Sequence, residues 1–329
     1  LNSGTDALTL GLYTLNVRKG DEVITTPNSF IASAATIVHL GAKPVFVDVQ
    51  DDQNINPDLI EKAITKKTKA IMPVHLTGRM SNMKKILNIA KKYKIPVIED
   101  AAQSIGSLFN NKPAGSYGEI GCFSAHPLKN LNACGDAGFL VTNNYNYYKK
   151  AKILRNHGLE NRNKVKNFGF ISRMDVLQAA ILNFRLKNLN ITIKKRRKNA
   201  SYYLKHLNRN FYTLIDEKEH QFNTYHTFVI QTPKRNHLIK FLNKAYNKIC
   251  GESREDNSSF FSSSTTNMIS NAPENHPLIQ SANKIGGQSA KIYEGRGGEN
   301  FPAGFINPIN IRTTKQTINV DSIFRENYN

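Results

Sequence analysis

The sequence predicts an α/β protein: a mainly parallel, doubly wound sheet in a large first part, then a smaller α/β domain. Three observations carry this. Short apolar runs alternate with helical stretches of about a dozen residues as far as Thr142, the pattern of a parallel sheet wound by helices. After Thr142 the alternation gives way to long amphipathic segments at 174–189 and 194–207. The length of 329 residues makes about two domains at roughly 150 residues each.

Taken in order, Ser3-Gly4-Thr5-Asp6 followed by Ala7, Leu8, Leu10, Leu12 and Leu15 reads as a polar helix start and its apolar stripe. Residues 23–25 form a strand closed by Pro27, 31–40 a helix of small residues ending at Gly41, and 44–49 a strand. A helix over 57–65 places Pro57 at its first position. Residues 69–74 are a strand, 80–93 a helix and 95–99 a strand. The apolar pair Cys122-Phe123 and the run 139–142 are buried strands on either side of an irregular loop. Helices follow over 145–155 and the two long segments, then a strand over 225–231 and a helix over 237–245.

Residues 251–300 keep neither a period of 2 nor of 3.6. They are serine-rich over 257–266 and glycine-rich at 286–287 and 295–298, the composition of a linker or disordered segment. The glycines follow no predicted strand and open no helix, so they are not a dinucleotide loop. Order partly returns over 306–324.

The net charge of +20 raises nucleic-acid binding as a reading. The lysines are instead spread in pairs along amphipathic segments, with one denser run at 194–198. Neither zinc-finger spacing nor an RNP-type aromatic motif accompanies them, so the sequence points to solvated helix faces and no nucleic acid. No apolar run nears the roughly 18 residues of a membrane span. Three cysteines, Cys122, Cys134 and Cys250, lack metal spacing and fit a reducing compartment, with the first two read as small buried hydrophobes. With no basic-then-apolar leader, a cytoplasmic protein is expected. The opening Leu-Asn-Ser-Gly enters motif-like sequence at once, and the expectation is that an N-terminal segment is missing.

The chemistry starts at Lys129, in Ser124-Ala-His-Pro-Leu-Lys129. On a loop between two strands, a lysine in a partly dry site loses its proton and becomes a nucleophile able to form a Schiff base with a carbonyl cofactor. Ser3-Gly4-Thr5 stands where free N–H groups and the helix dipole favour a phosphate, with the Thr5 hydroxyl as a further donor; an N-cap fits the same residues. Asp100 ends an apolar strand, where ligands of open parallel sheets bind. At ~4 Å and an effective dielectric of ~20 its charge is worth about 4 kcal/mol, roughly three pKa units, enough to keep a pyridine nitrogen protonated. Helix capping is the other use of such an aspartate. Phe30 stacks on a flat ring or fills the core.

From Asn2 to about Leu207 the chain resembles the DegT/StrS family of pyridoxal-phosphate-dependent sugar aminotransferases. The stretches that carry the resemblance are Ser3-Gly-Thr-Asp-Ala-Leu8, Gly20-Asp-Glu-Val-Ile24, Pro44-Val-Phe-Val-Asp48, Pro73-Val-His-Leu76 and Ile98-Glu-Asp-Ala-Ala-Gln103. Phe123-Ser124, Pro127-Leu-Lys-Asn-Leu131 and Ser172-Arg-Met-Asp with Leu-Gln-Ala-Ala180 complete them. The resemblance implies a PLP-dependent transferase type I (aspartate-aminotransferase-like) fold. It implies a large cofactor-binding domain over 1–190, a small domain over 191–329 with 251–300 atypical, and a homodimer with its sites at the subunit interface.

It also implies roles. Lys129 would bond the cofactor aldehyde and act as acid and base, and Asp100 would pair with the ring nitrogen. Gln103 would approach the 3-hydroxyl and Phe30 stack on the ring, while Gly4, Thr5 and Ser124 would hold the phosphate. Lysine at 129, where dehydrating relatives carry histidine, favours transamination. The expected substrates are a nucleotide-linked keto sugar and an amino donor, L-glutamate. The alternatives are a non-catalytic homologue acting as a dimer partner and a basic nucleic-acid-binding protein.

Two positions depart from the family pattern: Ile171 stands where an asparagine commonly reaches the partner's phosphate, and Thr77 where many relatives have tyrosine. The 251–300 block also lacks a His-Tyr-Pro-like strand, which a compensated frameshift would explain. Family-like codons in another reading frame of the coding DNA are the expected sign, and their absence would sink the explanation.

Overall fold

The computed structural model describes residues 1–250 and 309–312, with side chains as far as residue 244. The atypical 251–300 block, and most of 306–324, lie outside the described residues. In chain order come α1 (Gly4–Thr14), β1 (Glu22–Thr25), α2 (Ala32–His39), β2 (Lys43–Phe46), the single turn α3 (Pro57–Ile60) and β3 (Thr68–Ile71). Next are α4 (Met83–Tyr93), β4 (Ile98–Asp100), the short β5 (Leu108–Phe109) and β6 (Lys112–Pro113), β7 (Ile120–Ser124) and β8 (Gly138–Val141). Then follow α5 (Tyr145–Leu154), a hairpin of β9 (Leu159–Asn161) and β10 (Lys164–Val165), α6 (Val176–Leu186) and α7 (Leu189–His206). β11 (Gln221–Phe222), β12 (Phe228–Gln231), α8 (Arg235–Cys250) and β13 (Ile309–Arg312) complete the described elements.

β1 lies between β2 and β3, parallel to both. Parallel bridges Ile71–Val97 and Val74–Asp100 carry the sheet on to β4. β7 is parallel to β4, and β8 closes the edge antiparallel to β7. The mainly parallel sheet is thus as expected. Neighbouring residues of a strand face opposite sides: Val23 and Ile98 enter one core with Leu10, Leu12 and Met72. Ile24 and Val97 enter the other with Ile71, Met83, Ile86 and Phe123. Helices cover both faces, which is why the strands read as unbroken apolar runs.

α1 buries Ala7, Leu8, Leu10, Leu12 and Thr14 around most of its circumference, so it is an interior helix. A β-carbon on Gly11 would lie 2.6 Å from Ile98 Cδ1 and 3.1 Å from Cys122 Sγ. Only glycine lets α1 press this closely on β4 and β7. α4 turns Met83, Ile86 and Ala90 inward and exposes Lys84, Lys85, Lys91 and Lys92, so part of the positive charge is indeed solvated helix face.

Several boundaries move. α4 begins at Met83 rather than 80 because the Asn82 side chain caps it, accepting the Lys85 N–H at 3.2 Å. The helix read over 57–65 is only α3 and a 3₁₀ turn, Glu61–Ala63, because β-branched Ile64 takes an extended backbone.

The described residues form two compact units, the first comprising Leu1–Asn190 with Glu217–Thr224. In that returning segment β11 pairs antiparallel with β5. The second unit begins at Ile191 and packs Ala200, Tyr203, Tyr212, Phe228, Ile230, Leu238 and Leu242 together, with β12 parallel to β13. Within it the basic run at 194–198 is not all solvated. Arg196 is 1% exposed and donates to the His226 carbonyl at 2.9 Å, and burial lowers its pKa to about 10. Among the described residues no helix is long and apolar enough to cross a membrane.

Candidate active site

Asp100 and Ser124 end two adjacent parallel strands, β4 and β7, with Asp100 in register with Cys122. This is the carboxyl edge of the sheet, where open α/β folds bind ligands. α1 starts at the same edge: a β-carbon on Gly4 would meet Ser124 Cβ at 2.6 Å. Ser3 caps the helix by accepting the Asp6 N–H at 3.0 Å. Capping therefore falls to Ser3, and Gly4 and Thr5 keep the free amides of a helix start. The Thr5 hydroxyl has no hydrogen-bond partner among the described residues.

Asp100 is 4% exposed. Its Oδ2 accepts the Ser33 hydroxyl at 2.7 Å and its Oδ1 the Ala102 N–H at 3.2 Å. Burial raises its pKa; the Ser33 and Ala102 hydrogen bonds and the charge of Lys129 restrain the rise. No helix begins at Asp100, which removes the helix-capping reading.

Lys129 is half-buried on the loop after β7, its backbone N–H on the His126 carbonyl at 2.8 Å. Burial lowers its pKa, and the negative charge of Asp100 partly offsets this. Its ammonium has no hydrogen-bond or ion-pair partner among the described residues. α6 holds the loop in place. Arg185 Nη1 donates to the Asn132 carbonyl at 2.9 Å and to Asn132 Oδ1 at 2.7 Å, and Gln178 Oε1 accepts the Cys134 N–H at 2.8 Å.

Gln103 Oε1 accepts the N–H of Thr77 at 2.7 Å, which leaves its amide nitrogen free to face a ligand. Phe30 is 70% exposed, not a core phenylalanine. It lies just before α2, whose Ser33 holds Asp100, so the loop that bears Phe30 is fastened to the carboxylate. Of the cysteines, Cys122 is buried as expected, but Cys134 is exposed: it sits on the lysine loop, outside either core.

Polar residues with no role read from the sequence also converge here. Ser29 hydrogen-bonds Ser33 at 2.7 Å. Ser172 is 1% exposed, donates to Asp6 Oδ2 at 2.6 Å and accepts the Asn2 N–H at 3.2 Å. The Ile171 carbonyl accepts Asn2 Nδ2 at 3.2 Å, so position 171 steadies the start of α1 through its backbone. Ser172 stood in a quoted motif, but only the fold brings it to Asp6. Among the described residues no group of His, Cys, Asp or Glu is arranged to hold a metal ion.

The profile of the DegT/DnrJ/EryC1/StrS aminotransferase family matches residues 1–252. A pleiotropic regulatory protein of Geobacillus stearothermophilus is 41% identical over 244 residues, 73% of this chain and 66% of that protein. The UDP-N-acetyl-3-dehydro-alpha-D-glucosamine 3-aminotransferase of Acidithiobacillus ferrooxidans is 43% identical over 235 residues, 71% of this chain and 63% of that enzyme. The solved structure of NtdA from Bacillus subtilis, with bound cofactor PMP, is similar at a TM-score of 0.69 and 40% identity, over 74% of this chain and 57% of that one. The chain thus spans just under two thirds of the length of the curated relatives it matches. In its type I fold and in its sequence, the chain belongs to the DegT/DnrJ/EryC1/StrS aminotransferase family.

Proposed function

We propose that this chain is a pyridoxal-phosphate-dependent aminotransferase that moves an amino group from L-glutamate onto a keto group of a nucleotide-linked sugar, in polysaccharide or other amino-sugar biosynthesis. The observation that carries the reading is Lys129 and Asp100, close enough for each to feel the other's charge, at the carboxyl edge of β4 and β7 where α1 begins. The residues fit the cofactor. Gly4 lets the start of α1 close against Ser124, and the amides of Gly4 and Thr5 with the Thr5 and Ser124 hydroxyls suit its phosphate. Asp100 suits the ring nitrogen, Gln103 the 3-hydroxyl and the exposed Phe30 the ring face.

When bound, the cofactor supplies an electron sink for the donor's electrons. Lys129 Nζ, shifted toward the neutral amine by burial, is the nucleophile that would hold the cofactor through its aldehyde. Freed of that bond, the same nitrogen would be the base that takes the proton from the donor carbon and, in the second half-reaction, the acid that gives one to the sugar carbon. Ionised Asp100 would hold the proton on the ring nitrogen. The sugar-aminotransferase relative supports the acceptor class; the glutamate donor rests on the family resemblance. A large cofactor domain over 1–190, a small domain over 191–329, a homodimer and a cytoplasmic location belong to the same reading. Val176, Leu177 and Phe184, exposed on α6, support the dimer.

The test is a visible spectrum of the purified protein with added pyridoxal phosphate, before and after L-glutamate. A lysine-bound cofactor band that forms, then disappears as 2-oxoglutarate is released, is the expected result; no band at all would sink the proposal. The relative described as a regulatory protein favours a second reading, a non-catalytic family member acting as a dimer partner. A band that forms but answers to no amino donor would select it.

A further inference from the structure

We propose that Ser33 is a positioning residue for the Asp100 carboxylate, and that Ser29 locks Ser33 in that role while fastening the Phe30 loop to the same carboxylate. The inference rests on the cofactor reading above and adds to it the device that keeps Asp100 aimed and ionised.

Ser33 sits in the first turn of α2 and is 2% exposed. A serine hydroxyl has one proton, and Ser33 gives its proton to Asp100 Oδ2 at 2.7 Å. The 2.7 Å contact between Ser29 and Ser33 must then take its proton from Ser29. The two hydroxyl dipoles therefore line up head to tail toward the carboxylate, an arrangement that favours its charged form and strengthens along the chain. The Ala102 N–H holds the other oxygen at 3.2 Å. With both oxygens tethered, the plane of the carboxylate is fixed, as pairing with one ring atom requires.

The same two serines bracket Phe30. The Ser33 N–H bonds the Phe30 carbonyl at 3.1 Å, so backbone and side-chain bonds together close the loop over residues 29–33. The partner of the ring nitrogen and the residue facing the ring are thus parts of one hydrogen-bonded unit. Burial already pushes Asp100 toward its neutral form. Without the Ser33 donor the carboxylate would keep a proton for itself and release its hold on the ring nitrogen.

The test compares Ser33→Ala, Ser33→Thr and Ser29→Ala with wild type in the full chain. In the apoprotein, ¹³C-aspartate signals are followed against pH, with Asp100 assigned by its loss in Asp100→Asn. Ser33→Ala is expected to raise the Asp100 titration by about one unit or more, the size of a lost hydrogen bond to a charge. Ser29→Ala moves it less in the same direction, and Ser33→Thr, which keeps the hydroxyl, restores the wild-type value. With pyridoxal phosphate bound, the pH midpoint of the visible band rises in Ser33→Ala, because a less firmly protonated ring leaves the lysine nitrogen more basic. Thermal unfolding confirms the variants are folded; if Ser33→Ala is not, Ser33→Cys replaces it, its weakly donating thiol giving a smaller rise in the same direction. An Asp100 titration identical in wild type and Ser33→Ala overturns the inference. A wild type that takes up no cofactor overturns the functional reading instead, and the apoprotein titration still judges Ser33.

Discussion

Gly4 and Ser124 meet with no space between them: a β-carbon on residue 4 would lie 2.6 Å from Ser124 Cβ and 3.1 Å from its Oγ. Glycine is what allows α1 to begin against the end of β7, with its free amides beside the serine hydroxyl. Gly4→Ala is expected to force the helix start and Ser124 apart, at the roughly 1–3 kcal/mol of an overpacked contact. If that falls on the anion cup, pyridoxal phosphate binds about 10- to 100-fold more weakly, as a fluorescence titration would read. An unchanged dissociation constant would mean that the helix start is not part of the site.

Lys129 gives a pH prediction. Burial lowers its pKa and the Asp100 charge partly restores it. Between that lowered value and the unfolded value near 10.4, the unfolded chain binds more protons here, so stability rises with pH across the window. At neutral pH the lysine therefore destabilises the fold, by about 1.4 kcal/mol per unit of lowering. Lys129→Met is expected to raise the apoprotein's unfolding midpoint by a few degrees while abolishing the visible cofactor band. Asp100→Asn removes the charge that raises the lysine pKa, so the rate of cofactor capture should reach its plateau at lower pH than in wild type. A capture profile shifted to higher pH contradicts this arrangement.

What is legible in the sequence is local. The stripe of α1, the apolar strand ending at Asp100 and the loop around Lys129 each announce themselves within about a dozen residues, and the structure has them. Ser33 does not: its partner Asp100 is 67 positions away, and only the fold, which brings the start of α2 to the end of β4, makes the pair. Phe30 is ambiguous in sequence because an aromatic after a strand usually fills the core; here it is exposed. Cys134 reads as a small hydrophobe but stands on a loop. Glu99 is hidden for another reason, since a fully buried carboxylate is the last use expected of a charged residue next to a site aspartate.

Glu99 is 0% exposed and faces away from Asp100, as strand alternation requires. Its Oε1 accepts the N–H groups of Tyr117 and Gly118 at 2.6 and 2.7 Å, and its Oε2 that of Gly115 at 2.9 Å. His75 Nε2 lies 2.9 Å from Oε2, and the Ser81 N–H points at His75 Nδ1 at 3.2 Å, so the ring proton is on Nε2 and is donated to Glu99. Burial pushes the Glu99 pKa up, but His75 and the backbone donors outweigh it and leave the value lowered. A depressed carboxylate contributes stability above the unfolded pKa near 4.3 and loses it as pH falls through the folded value. Glu99→Gln turns an amide toward donors and is expected to cost about 3–5 kcal/mol at neutral pH. It should also flatten the acid limb of the stability curve; acid limbs of equal steepness in variant and wild type would refute this account.

α6 joins the lysine loop to an uncovered apolar face. It buries Leu182 and grips the loop through Gln178 and Arg185, yet leaves Val176 86%, Leu177 70% and Phe184 69% exposed. Leu177 and Phe184, seven residues apart, lie on one side of the helix, and large apolar residues gathered like this mark an interaction surface. In the proposed homodimer, Phe184→Glu removes no buried contact within the subunit, so its unfolding free energy should stay within about 0.5 kcal/mol of wild type. Loss of an aromatic anchor at an interface costs about 2 kcal/mol or more, so the dimer dissociation constant should rise about 30-fold, as sedimentation equilibrium would measure. Because the same helix holds the loop that carries Lys129, through Asn132 and Cys134, diluting wild type below its dimer constant should weaken cofactor capture, and so should the substitution. If Phe184→Glu assembles with the wild-type constant, the second subunit docks elsewhere.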